Sequence, residues 1–423
     1  MPKIILSINA GSSSLKVSVF SYESSTSTPK QLAVIQIAGL TAPPANLSYD
    51  HGDTHIKHQE LSNISGPEDA YQHILSHLIS DKSLSELNHE DNIEFACHRV
   101  VHGGSYTTPV RIDRDTYHHL ERLSDLAPLH NAGALAIVKA VHEKCPKTTN
   151  IAFFDSAFHA TLPLPVRTYA IDPEKAERNG LRKYGFHGLS YAFITRVAAK
   201  HLGKEVRETN LIALHLGSGA SACCIKGGES VDTTMGLTPL AGLPGATRSG
   251  DVDPSLIFHL THDAGSMAQS STKELHITQA EQILNKESGW KAMTGTTDFG
   301  TISKKASEGD ERCRLVVDML VDRIVGYIGS YFVKLGGEVD ALVFAGGIGE
   351  KGADLRRGVV ERVGCLGFEI HEGSNREPGE GLVVEVGESE EGPRRVLVVQ
   401  TDEQAEMAGQ CVRESDQLRR PAK

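Results

Sequence analysis

The chain has 423 residues, with 54 acidic and 43 basic side chains and a formal net charge of −11 at pH 7. This charge argues against a nucleic acid or an anionic membrane as a partner, because binding to phosphate-rich surfaces needs a basic patch. The length exceeds the size at which one hydrophobic core usually stops growing, so two domains are expected.

The sequence carries no sign of membrane insertion or export. No stretch reaches the ~18 apolar residues that a membrane-spanning helix needs, and the first residues lack the long apolar core of a signal peptide. The seven cysteines are scattered, with no C-x-x-C pair. We therefore expect a reduced, cytoplasmic protein that has neither zinc nor disulfides.

The first predicted elements are two short apolar strands, residues 3–8 and 17–20, joined by the turn GSSSLK. Because so few residues connect them, the strands must pair antiparallel. A P-loop has the spacing G-x-x-x-x-G-K-[ST] and leads into a helix, so this turn is not one. Its backbone N–H groups and hydroxyls can nevertheless hold a phosphate, with Lys16 as a counter-charge.

Periodicity and turn residues assign most of the remaining elements. Residues 43–65 are polar and are predicted to form hairpins and irregular loops. Apolar residues at helical spacing predict helices over residues 67–79, 115–126, 133–144 and 311–335, the last with Leu315, Met319, Leu320, Ile324, Ile328, Tyr331 and Phe332 in that spacing. Strands are predicted over residues 150–154, 340–344, 382–386 and 396–399, and a last helix begins with Thr401 or Asp402 as its cap.

Residues 210–228 repeat the plan of the first hairpin. Each segment has an apolar strand, a polar residue two positions before a glycine, Gly-Ser with further small residues, and a second strand. We interpret this as an internal duplication, giving two domains of one α/β fold, each with a phosphate-binding hairpin. Chance similarity between two short Gly-Ser hairpins is the alternative.

Two candidate site residues lie in the first half of the chain. Arg99, in CHRVVHGG, is flanked by apolar residues and suits bidentate binding of a carboxylate or phosphate; a structural salt bridge is the alternative. Asp155, in FFDSAFH, directly follows a predicted buried strand, where α/β proteins place ligand-binding residues. A carboxylate there commonly serves Mg²⁺, although it could also cap the next helix.

Three further motifs lie later in the chain. His187 and Phe186 stand between two glycines in YGFHG, Arg248 lies in the aperiodic loop GLPGATRSGD, and FAGGIGE places a glycine turn after a buried strand. A second arginine suits a transferring phosphoryl group, which develops charge on three equatorial oxygens. The glycine turn would let a nucleotide approach the backbone, but a lone glycine-rich turn is a weak signal.

Together these motifs predict a phosphotransferase with two arginines, one carboxylate and no obvious strong base. A hydroxyl acceptor usually needs an Asp to take its proton. A carboxylate acceptor has a pKa of about 4 and is already ionised at neutral pH. The pattern therefore favours a kinase that acts on a carboxylate.

These motifs, in this order, resemble the acetate kinase family: INAGSSSLK, HRVVHGG, LAPLHN, FFDSAFH, YGFHG, HLGSGAS, MGLTPLAGLPGATRSGDVDP, FAGGIGE and TDEQ, which together span residues 8–404. The resemblance implies a fold of duplicated actin-like, ribonuclease H-like domains, with mixed sheets flanked by helices. It implies a first domain over residues 1–158, completed by a C-terminal helix at about 402–423. A second domain, residues 159–401, would carry the nucleotide site and the dimer interface.

The resemblance also implies the reaction of acetate with ATP to give acetyl phosphate and ADP, by direct in-line transfer in a homodimer. Mg²⁺ would be the metal, with Mn²⁺ able to replace it. Residues implied by the matching motifs are, for catalysis, Asp155, Arg99, Arg248, His187 and His130; for the acetate methyl pocket, Val101, Leu129, Phe186 and Pro239; for phosphate and nucleotide, Lys16, Ser12, Ser14, His215, Ser218, Gly219, Asp298, Phe299, Gly300, Gly347 and Ile348; and for the metal, Asn9, Asp155 and Glu403.

Three positions depart from the family pattern, all on the phosphoryl-donor side. Ser218 stands where the family usually has Asn, Gly300 where it has Arg, and Lys351 where it has Asn. These departures leave pyrophosphate or another nucleotide open as the donor, and propionate or butyrate is open as the acceptor. A non-catalytic nucleotide-binding relative is a further alternative, against which the retained catalytic set argues.

Overall fold

The computed structural model describes residues 3–11, 13–25, 28–40, 44–123, 128–269, 271, 277–387 and 394–419; for residues 128–130 and 132 it describes the backbone only. The chain divides into two compact units. Unit 1 consists of Met1–Ala157 and Asp402–Lys423, and unit 2 of Phe158–Thr401. In the described parts of the chain, each unit is built on a mixed β-sheet flanked by helices.

The strands of unit 1 are β1 (Lys3–Ala10), β2 (Ser14–Tyr22), β3 (Lys30–Ala38), β4 (Ala45–His51), β5 (Thr54–Leu61), β6 (Ile93–Val100), β7 (Val110–Arg111) and β8 (Thr149–Phe154). They form a sheet in the order β5-β4-β3-β2-β1-β6-β8-β7. The strands of unit 2 are β9 (Leu211–Leu216), β10 (Ala220–Lys226), β11 (Glu229–Thr233), β12 (Ala341–Ala345), β13 (Val383–Glu385) and β14 (Arg395–Val399). Their order is β11-β10-β9-β12-β14-β13.

Five strands of each sheet follow the same plan. The run β3-β2-β1-β6-β8 in unit 1 corresponds to the run β11-β10-β9-β12-β14 in unit 2. In both runs the first two pairings are antiparallel and the next two are parallel. This shared topology confirms the predicted duplication of one α/β fold.

The helices are, in chain order, α1 (Pro67–Ser80), α2 (Arg114–Leu123), α3 (Pro128–Lys144), α4 (Leu164–Arg167), α5 (Pro173–Asn179), α6 (Gly188–His201), α7 (Leu256–Leu260), α8 (Gln279–Lys286), α9 (Gly289–Thr294), α10 (Phe299–Ser307), α11 (Glu311–Lys334), α12 (Gly346–Lys351), α13 (Ala353–Arg362), α14 (Glu372–Arg376), α15 (Glu403–Arg413) and α16 (Ser415–Leu418). None of these helices is long and apolar enough to cross a membrane.

The core of unit 1 explains why β1 is buried along most of its length. Its side chains Ile4, Leu6 and Ile8 join a cluster that includes Ile74 of α1 and Ile137 of α3. Helix α15 also packs against β1 and β6. A strand in the middle of a sheet that is covered in this way reads as a continuous apolar run rather than an alternating one.

The core of unit 2 centres on the long helix α11. Val316, Leu320 and Ile324 pack in one cluster with Ile212 and Leu214 of β9. Asp310 caps the start of the helix by accepting a hydrogen bond from the N–H of Cys313 at 2.8 Å. Glycines in the left-handed region follow its end, Gly336 at φ 67° and Gly337 at φ 79°.

The structure confirms the antiparallel pairing of β1 and β2, with Ile8 opposite Val17. Residues 45–61 form a hairpin of two antiparallel strands, within the region where hairpins are predicted, with a register shift between Leu47 and Tyr49. The structure differs from prediction at two places. Leu315 is 57% exposed because the buried face of α11 runs through Val316 instead. The predicted glycine turn after β12 is the short helix α12, which glycine's low helix propensity conceals.

Candidate active site

In unit 1, Arg99 and Asp155 meet at one edge of the sheet. Arg99 lies near the end of β6, Asp155 directly follows β8, and these two strands run parallel. The Arg99 guanidinium donates two hydrogen bonds to the Asp155 carboxylate, Nε to Oδ1 at 3.1 Å and Nη2 to Oδ2 at 2.7 Å. Asp155 is only 1% exposed, so this two-point ion pair is well shielded from water.

The same guanidinium reaches two further predicted site residues. Its Nη1 lies 3.4 Å from Glu403 Oε2 and donates to Asn9 Oδ1 at 3.3 Å. Asn9 Nδ2 in turn donates to Glu403 Oε2 at 3.4 Å. Asn9 comes from β1 and Glu403 is the first residue of α15, which Asp402 caps. One arginine therefore joins three elements that are far apart in sequence.

The charges of this cluster set its chemistry. Burial acts to lower the pKa of Arg99, but the nearby charges of Asp155 and Glu403 outweigh it and raise that pKa above its ordinary value. Arg99 therefore stays charged at every working pH, and it faces two carboxylates. The cluster keeps one negative charge in excess, which suits a cation.

The donor set of the cluster fits Mg²⁺ better than a metal held by protein ligands alone. Among the described residues there is no group of three or more His, Cys, Asp or Glu side chains that could hold a metal ion. Mg²⁺ is commonly bound by one or two carboxylates, with waters and substrate phosphates as the other ligands. Asp155 and Glu403, with the amide oxygen of Asn9 beside them, meet that requirement.

Gln404 fixes the place of Glu403, and sequence reasoning missed its role. Its Nε2 donates to the carbonyl oxygen of Ser7 at 2.8 Å, and the Ser7 hydroxyl donates to the carbonyl oxygen of Gln404 at 2.9 Å. Both side chains are buried, Ser7 on β1 and Gln404 on α15. This reciprocal pair locks the helix that carries Glu403 onto the strand that carries Asn9. In the sequence, Gln404 stands out only as the last residue of the TDEQ motif.

Some of the other predicted residues of unit 1 lie next to members of this cluster in the chain or in the sheet. The rest fall outside the part of the chain that the structure describes. Lys16 is opposite Asn9 in the β1–β2 ladder, and the N–H of Gly11 closes the turn by donating to the carbonyl oxygen of Ser14 at 2.8 Å. Val101 is half-buried just after β6. Ser12 lies outside the described residues, as do the side chains of Leu129 and His130, whose backbone belongs to α3.

In unit 2, two histidine rings stack on each other. His187 precedes α6 and His215 lies on β9; their ring centroids are 4.1 Å apart with an interplanar angle of 26°. His187 Nδ1 lies 2.9 Å from the Oγ of Ser221, which pairs with His215 across the β9–β10 ladder. The backbone of His187 is left-handed, at φ 60°, a conformation that costs a non-glycine residue about 1 kcal/mol. Such strain is common where a side chain must be aimed at a ligand.

Gly219 allows Arg248 to approach these histidines. A Cβ on Gly219 would lie 2.1 Å from Arg248 Nη2 and 3.5 Å from His187 Nε2. Only glycine therefore leaves room for the guanidinium and the imidazole beside the β9–β10 turn. Arg248 is held from its other side, where Nη1 donates to the carbonyl oxygen of Pro239 at 3.0 Å. Phe186, the neighbour of His187, is buried and accepts a hydrogen bond from His159 Nε2 at 2.9 Å.

A cavity of about 730 Å³ in unit 2 is lined by six of the predicted nucleotide residues, but not by His215 or Gly219. Its walls include Ser218, Asp298, Phe299, Gly300, Gly347 and Ile348, all of which the sequence placed on the nucleotide side. Lys304 and Lys351 also line it; the role of Lys304 was not predicted. The Asp298 carboxylate is engaged in capping α10, and hydrogen bonds from Thr301 and Gly300 lower its pKa.

Arg356 supports this cavity from inside the protein. It is 1% exposed, and its Nη1 donates to the carbonyl oxygens of Gly349 and Glu350 at the end of α12, at 2.7 and 2.8 Å. Its other donors go to Asn375, and burial lowers its pKa to about 10. A buried arginine thus satisfies the last carbonyls of the helix that carries Gly347 and Ile348.

We expect Arg356→Met to destabilise the protein by roughly 2–4 kcal/mol, because it leaves buried carbonyl and amide groups unpaired. A lower melting temperature in calorimetry would show this. Arg312→Met, at an exposed position of α11, is the matched control and should leave the melting temperature within about one degree. Equal melting temperatures for the two variants would contradict the role assigned to Arg356.

Comparison with known proteins now identifies the family. The chain matches the acetokinase family over residues 4–409. It belongs to that family. A protein of Emericella nidulans named "Probable acetate kinase" is 53% identical over 414 residues, which cover 97% of this chain and 98% of that protein. The acetate kinase of Corynebacterium jeikeium is 36% identical over 420 residues, covering 99% of this chain and all of that one.

Solved structures agree with this membership of the acetokinase family. The acetate kinase of Porphyromonas gingivalis superposes with a TM-score of 0.82 at 31% identity, covering 99% of this chain and 100% of that chain. A propionate kinase from Francisella tularensis superposes with a TM-score of 0.83 at 30% identity, covering 96% and 98%. As a member of this family, the chain is a phosphotransferase with a carboxyl group as acceptor.

The three departures from the acetokinase pattern fall in one place. Ser218, Gly300 and Lys351 all line the 730 Å³ cavity. Lys304 is one helical turn after Gly300 on α10, so it presents a cation on the same face of that helix. The positive charge that the family pattern has at Gly300 is thus matched in this cavity by two lysines.

Proposed function

We propose that this acetokinase family member transfers a phosphoryl group reversibly between ATP and acetate, giving acetyl phosphate and ADP. The observation that carries the proposal is the Arg99 cluster, in which one guanidinium engages Asp155, Glu403 and Asn9. It provides the anionic site for a metal that such a kinase needs, with Arg99 holding the two carboxylates together.

Acetate needs no general base, because its carboxylate is ionised at neutral pH. The residues of unit 1 therefore serve to bind and orient. Arg99 is the group that would bind the acceptor carboxylate, and Val101, two residues further along the chain, would contribute to the methyl pocket. A methyl group contributes only about 1 kcal/mol on burial, so exclusion of longer acids must come from the size of this pocket.

Asp155, Glu403 and Asn9 would hold Mg²⁺ or Mn²⁺. A metal bound there would neutralise charge on the phosphate oxygens. Arg99 holds both carboxylates close together before any metal binds, so the site is arranged in advance. Gln404 holds α15 in register with β1 and so keeps Glu403 beside Asn9.

We expect Gln404→Leu to raise the Mg²⁺ concentration that gives half the maximal rate, or to lower kcat, by roughly 10- to 100-fold, which is the usual effect of losing an outer partner of a metal ligand. Initial rates over a Mg²⁺ titration provide the measurement. Gln410→Leu, on the same helix and bonded only to Glu414, should behave as wild type. If both variants respond alike, Gln404 does not position the metal site.

In unit 2, His187 and Arg248 would donate hydrogen bonds to the equatorial oxygens of the transferring phosphoryl group. That group gains charge on those oxygens in the transition state, so donors fixed in advance lower the barrier. His215 stacks on His187 and so restricts the rotation of the His187 ring. Lys16 and Ser14, with Ser12, would contribute phosphate contacts from unit 1.

The donor we propose is ATP. A cavity of about 730 Å³ has the size of a small-molecule site and is far larger than pyrophosphate requires. Its two lysines suit a polyphosphate or ribose-bearing ligand. Pyrophosphate is the rival donor, because Ser218 and Gly300 lack groups that the family pattern has there.

The single tryptophan of the chain offers a test of the donor. Trp290 Nε1 donates to the carbonyl oxygen of Thr297 at 3.1 Å, Thr297 lines the cavity, and the Trp290 ring packs on Phe299 at 5.4 Å. Saturable changes in its fluorescence with ATP and ADP, but not with pyrophosphate, would support ATP. The reverse pattern would favour pyrophosphate.

Trapping the acyl phosphate as its hydroxamate tests donor and acceptor in one experiment. We expect product from acetate with ATP and Mg²⁺, little with pyrophosphate, and a lower kcat/KM for propionate and butyrate. Propionate is included because the structurally similar Francisella protein is named a propionate kinase. A higher kcat/KM for propionate or butyrate than for acetate would overturn the proposed acceptor.

We also propose that the protein is a cytoplasmic homodimer that associates through unit 2 and has no nucleic acid or membrane partner. The net charge of −11 supports the last point. Exposed apolar side chains concentrate around α7, where Val252, Leu256, Phe258 and Leu260 are 39–69% exposed. Such clusters mark protein interfaces. Light scattering after gel filtration should give twice the chain mass, and a monomer would contradict the proposal.

A further inference from the structure

Two buried hydroxyls lie behind the imidazole of His187. Ser221 Oγ is 2.9 Å from His187 Nδ1, and the Tyr191 hydroxyl oxygen is 2.5 Å from the same Oγ. Tyr191 lies on α6 and Ser221 on β10, and both are fully buried. Binding of a phosphoryl group by His187 does not by itself explain why two hydroxyls are placed on the opposite side of the ring.

Counting protons gives the direction of each bond. Burial raises the pKa of Tyr191 well above its ordinary value, so the phenol keeps its one proton, and its oxygen accepts the backbone N–H of His215. Either oxygen could donate across this 2.5 Å contact, but only donation by the phenol gives both hydroxyl protons an acceptor among the partners described for these two residues. Ser221 then has its own proton to donate, and His187 Nδ1 is the acceptor within reach.

An imidazole that accepts at Nδ1 is neutral and carries its proton on Nε2. Nε2 is the nitrogen on the side of Gly219 and Arg248, since a Cβ on Gly219 would lie 3.5 Å from it. The opposite tautomer would direct a lone pair toward that side, where it would repel an anionic phosphoryl oxygen. The tautomer of His187 therefore decides whether it attracts or repels the transferring group.

We propose that Tyr191 and Ser221 are positioning residues that hold His187 as the neutral Nε2–H tautomer, ready to donate to a phosphoryl oxygen. The proposal rests on the phosphotransferase function proposed above. Neither Tyr191 nor Ser221 was among the residues that the sequence indicated. The phenol proton of Tyr191 sets the direction in which the Ser221 hydroxyl donates. That hydroxyl in turn sets which ring nitrogen of His187 carries the proton.

Three groups face His187 from the elements packed around it. Arg248 comes from the loop after β11 and places its positive charge near Nε2. His215 stacks from β9, with its Nδ1 bonded to Ser190 Oγ at 2.7 Å. His159 packs against Tyr191, and burial lowers the pKa of His159 to about 4, so it stays neutral above that pH.

The first test is the pH dependence of Tyr191→Phe. Without the phenol proton, Ser221 can accept from His187 Nδ1–H, so the ring takes the wrong tautomer. We expect kcat at pH 8 to fall about tenfold, the effect of losing about one hydrogen bond in the transition state, with both KM values within about twofold. Protonation restores a proton to Nε2, so the deficit should shrink as the pH falls through the pKa of His187, which a ¹⁵N titration of the same protein measures.

This recovery in acid separates positioning from a general structural effect. A merely damaged site would lower kcat by one factor at every pH. Tyr184→Phe is the matched control: its hydroxyl donates to the carbonyl oxygen of Gly180 at 2.9 Å, and that variant should keep wild-type kcat across the range. Ser221→Ala removes the transmitting hydroxyl and should show a loss at pH 8 of similar size.

Nitrogen NMR reads the tautomer directly and needs no turnover. In protein labelled with ¹⁵N-histidine, the His187 resonances, assigned from their loss in His187→Gln, should report a protonated Nε2 and a bare Nδ1. Tyr191→Phe should move the proton toward Nδ1. A protonated Nδ1 in the wild type, or a Tyr191→Phe deficit independent of pH, would overturn the proposal. If the wild type makes no acetyl phosphate, the proposed function fails, but the spectrum still decides the tautomer.

Discussion

Replacing Arg248 by alanine is expected to lower kcat by about a thousandfold or more, while the KM for acetate changes much less, because an arginine on the transferring group acts mainly in the transition state. The structure shows what fixes Arg248 in place. The guanidinium lies against Gly219, and the carbonyl oxygen of Pro239 holds it there. An alanine leaves that space empty.

Two companion variants make the result interpretable. Arg248→Lys keeps a positive charge but loses the planar fork, so its kcat should fall between those of wild type and Arg248→Ala. Arg312→Ala removes an exposed arginine of the same unit and should leave kcat within about twofold. Near-normal kcat in Arg248→Ala would mean that the phosphoryl group is stabilised by other residues.

Replacing Asp155 by asparagine is expected to lower kcat by about a hundredfold or more and to raise the Mg²⁺ concentration that gives half the maximal rate, since the variant keeps the shape but loses a charged metal ligand. Within this cluster, Arg99 would then form an ion pair with Glu403 alone. The excess negative charge of the cluster would disappear, and with it the attraction for a cation. Raising Mg²⁺ should restore part of the lost rate.

Stability must be measured with this variant, because breaking a buried ion pair is itself destabilising. Thermal unfolding gives the temperature range in which Asp155→Asn stays folded, and rates are compared only within it. Asp115→Asn, at an exposed position in the first turn of α2, is the control and should match wild type. Wild-type kcat and Mg²⁺ dependence in folded Asp155→Asn would remove Asp155 from the metal site.

Local patterns in the sequence were enough to predict several parts of the fold. The antiparallel pairing of β1 with β2 followed from the short turn between them, and helix α1 from its apolar spacing. Asp155 could be placed at a strand end because a buried run precedes it directly. Each of these inferences depends on residues close together in the chain.

The features that the sequence did not predict depend on partners that are separated in the chain. Ser7 and Gln404 bond across a separation of 397 residues, and neither shows a pattern of its own. Ser221 and Tyr191 lie in apolar segments, where a hydroxyl gives no sign of which ring it will meet. The exposed Leu315 shows a different limit, because α11 has apolar residues on more than one face and only the packed sheet selects the buried one.

Direct transfer between ATP and acetate is most plainly tested by ³¹P NMR of the purified protein with ATP, acetate and Mg²⁺, beside Arg248→Ala. We predict that an acetyl phosphate resonance grows one-for-one with ADP in the wild type, without inorganic phosphate, and that it grows far more slowly in the variant. ADP accompanied by inorganic phosphate alone would show a hydrolase, and an unchanged ATP spectrum would show a nucleotide-binding protein without this activity. Either result would contradict the proposed phosphotransfer.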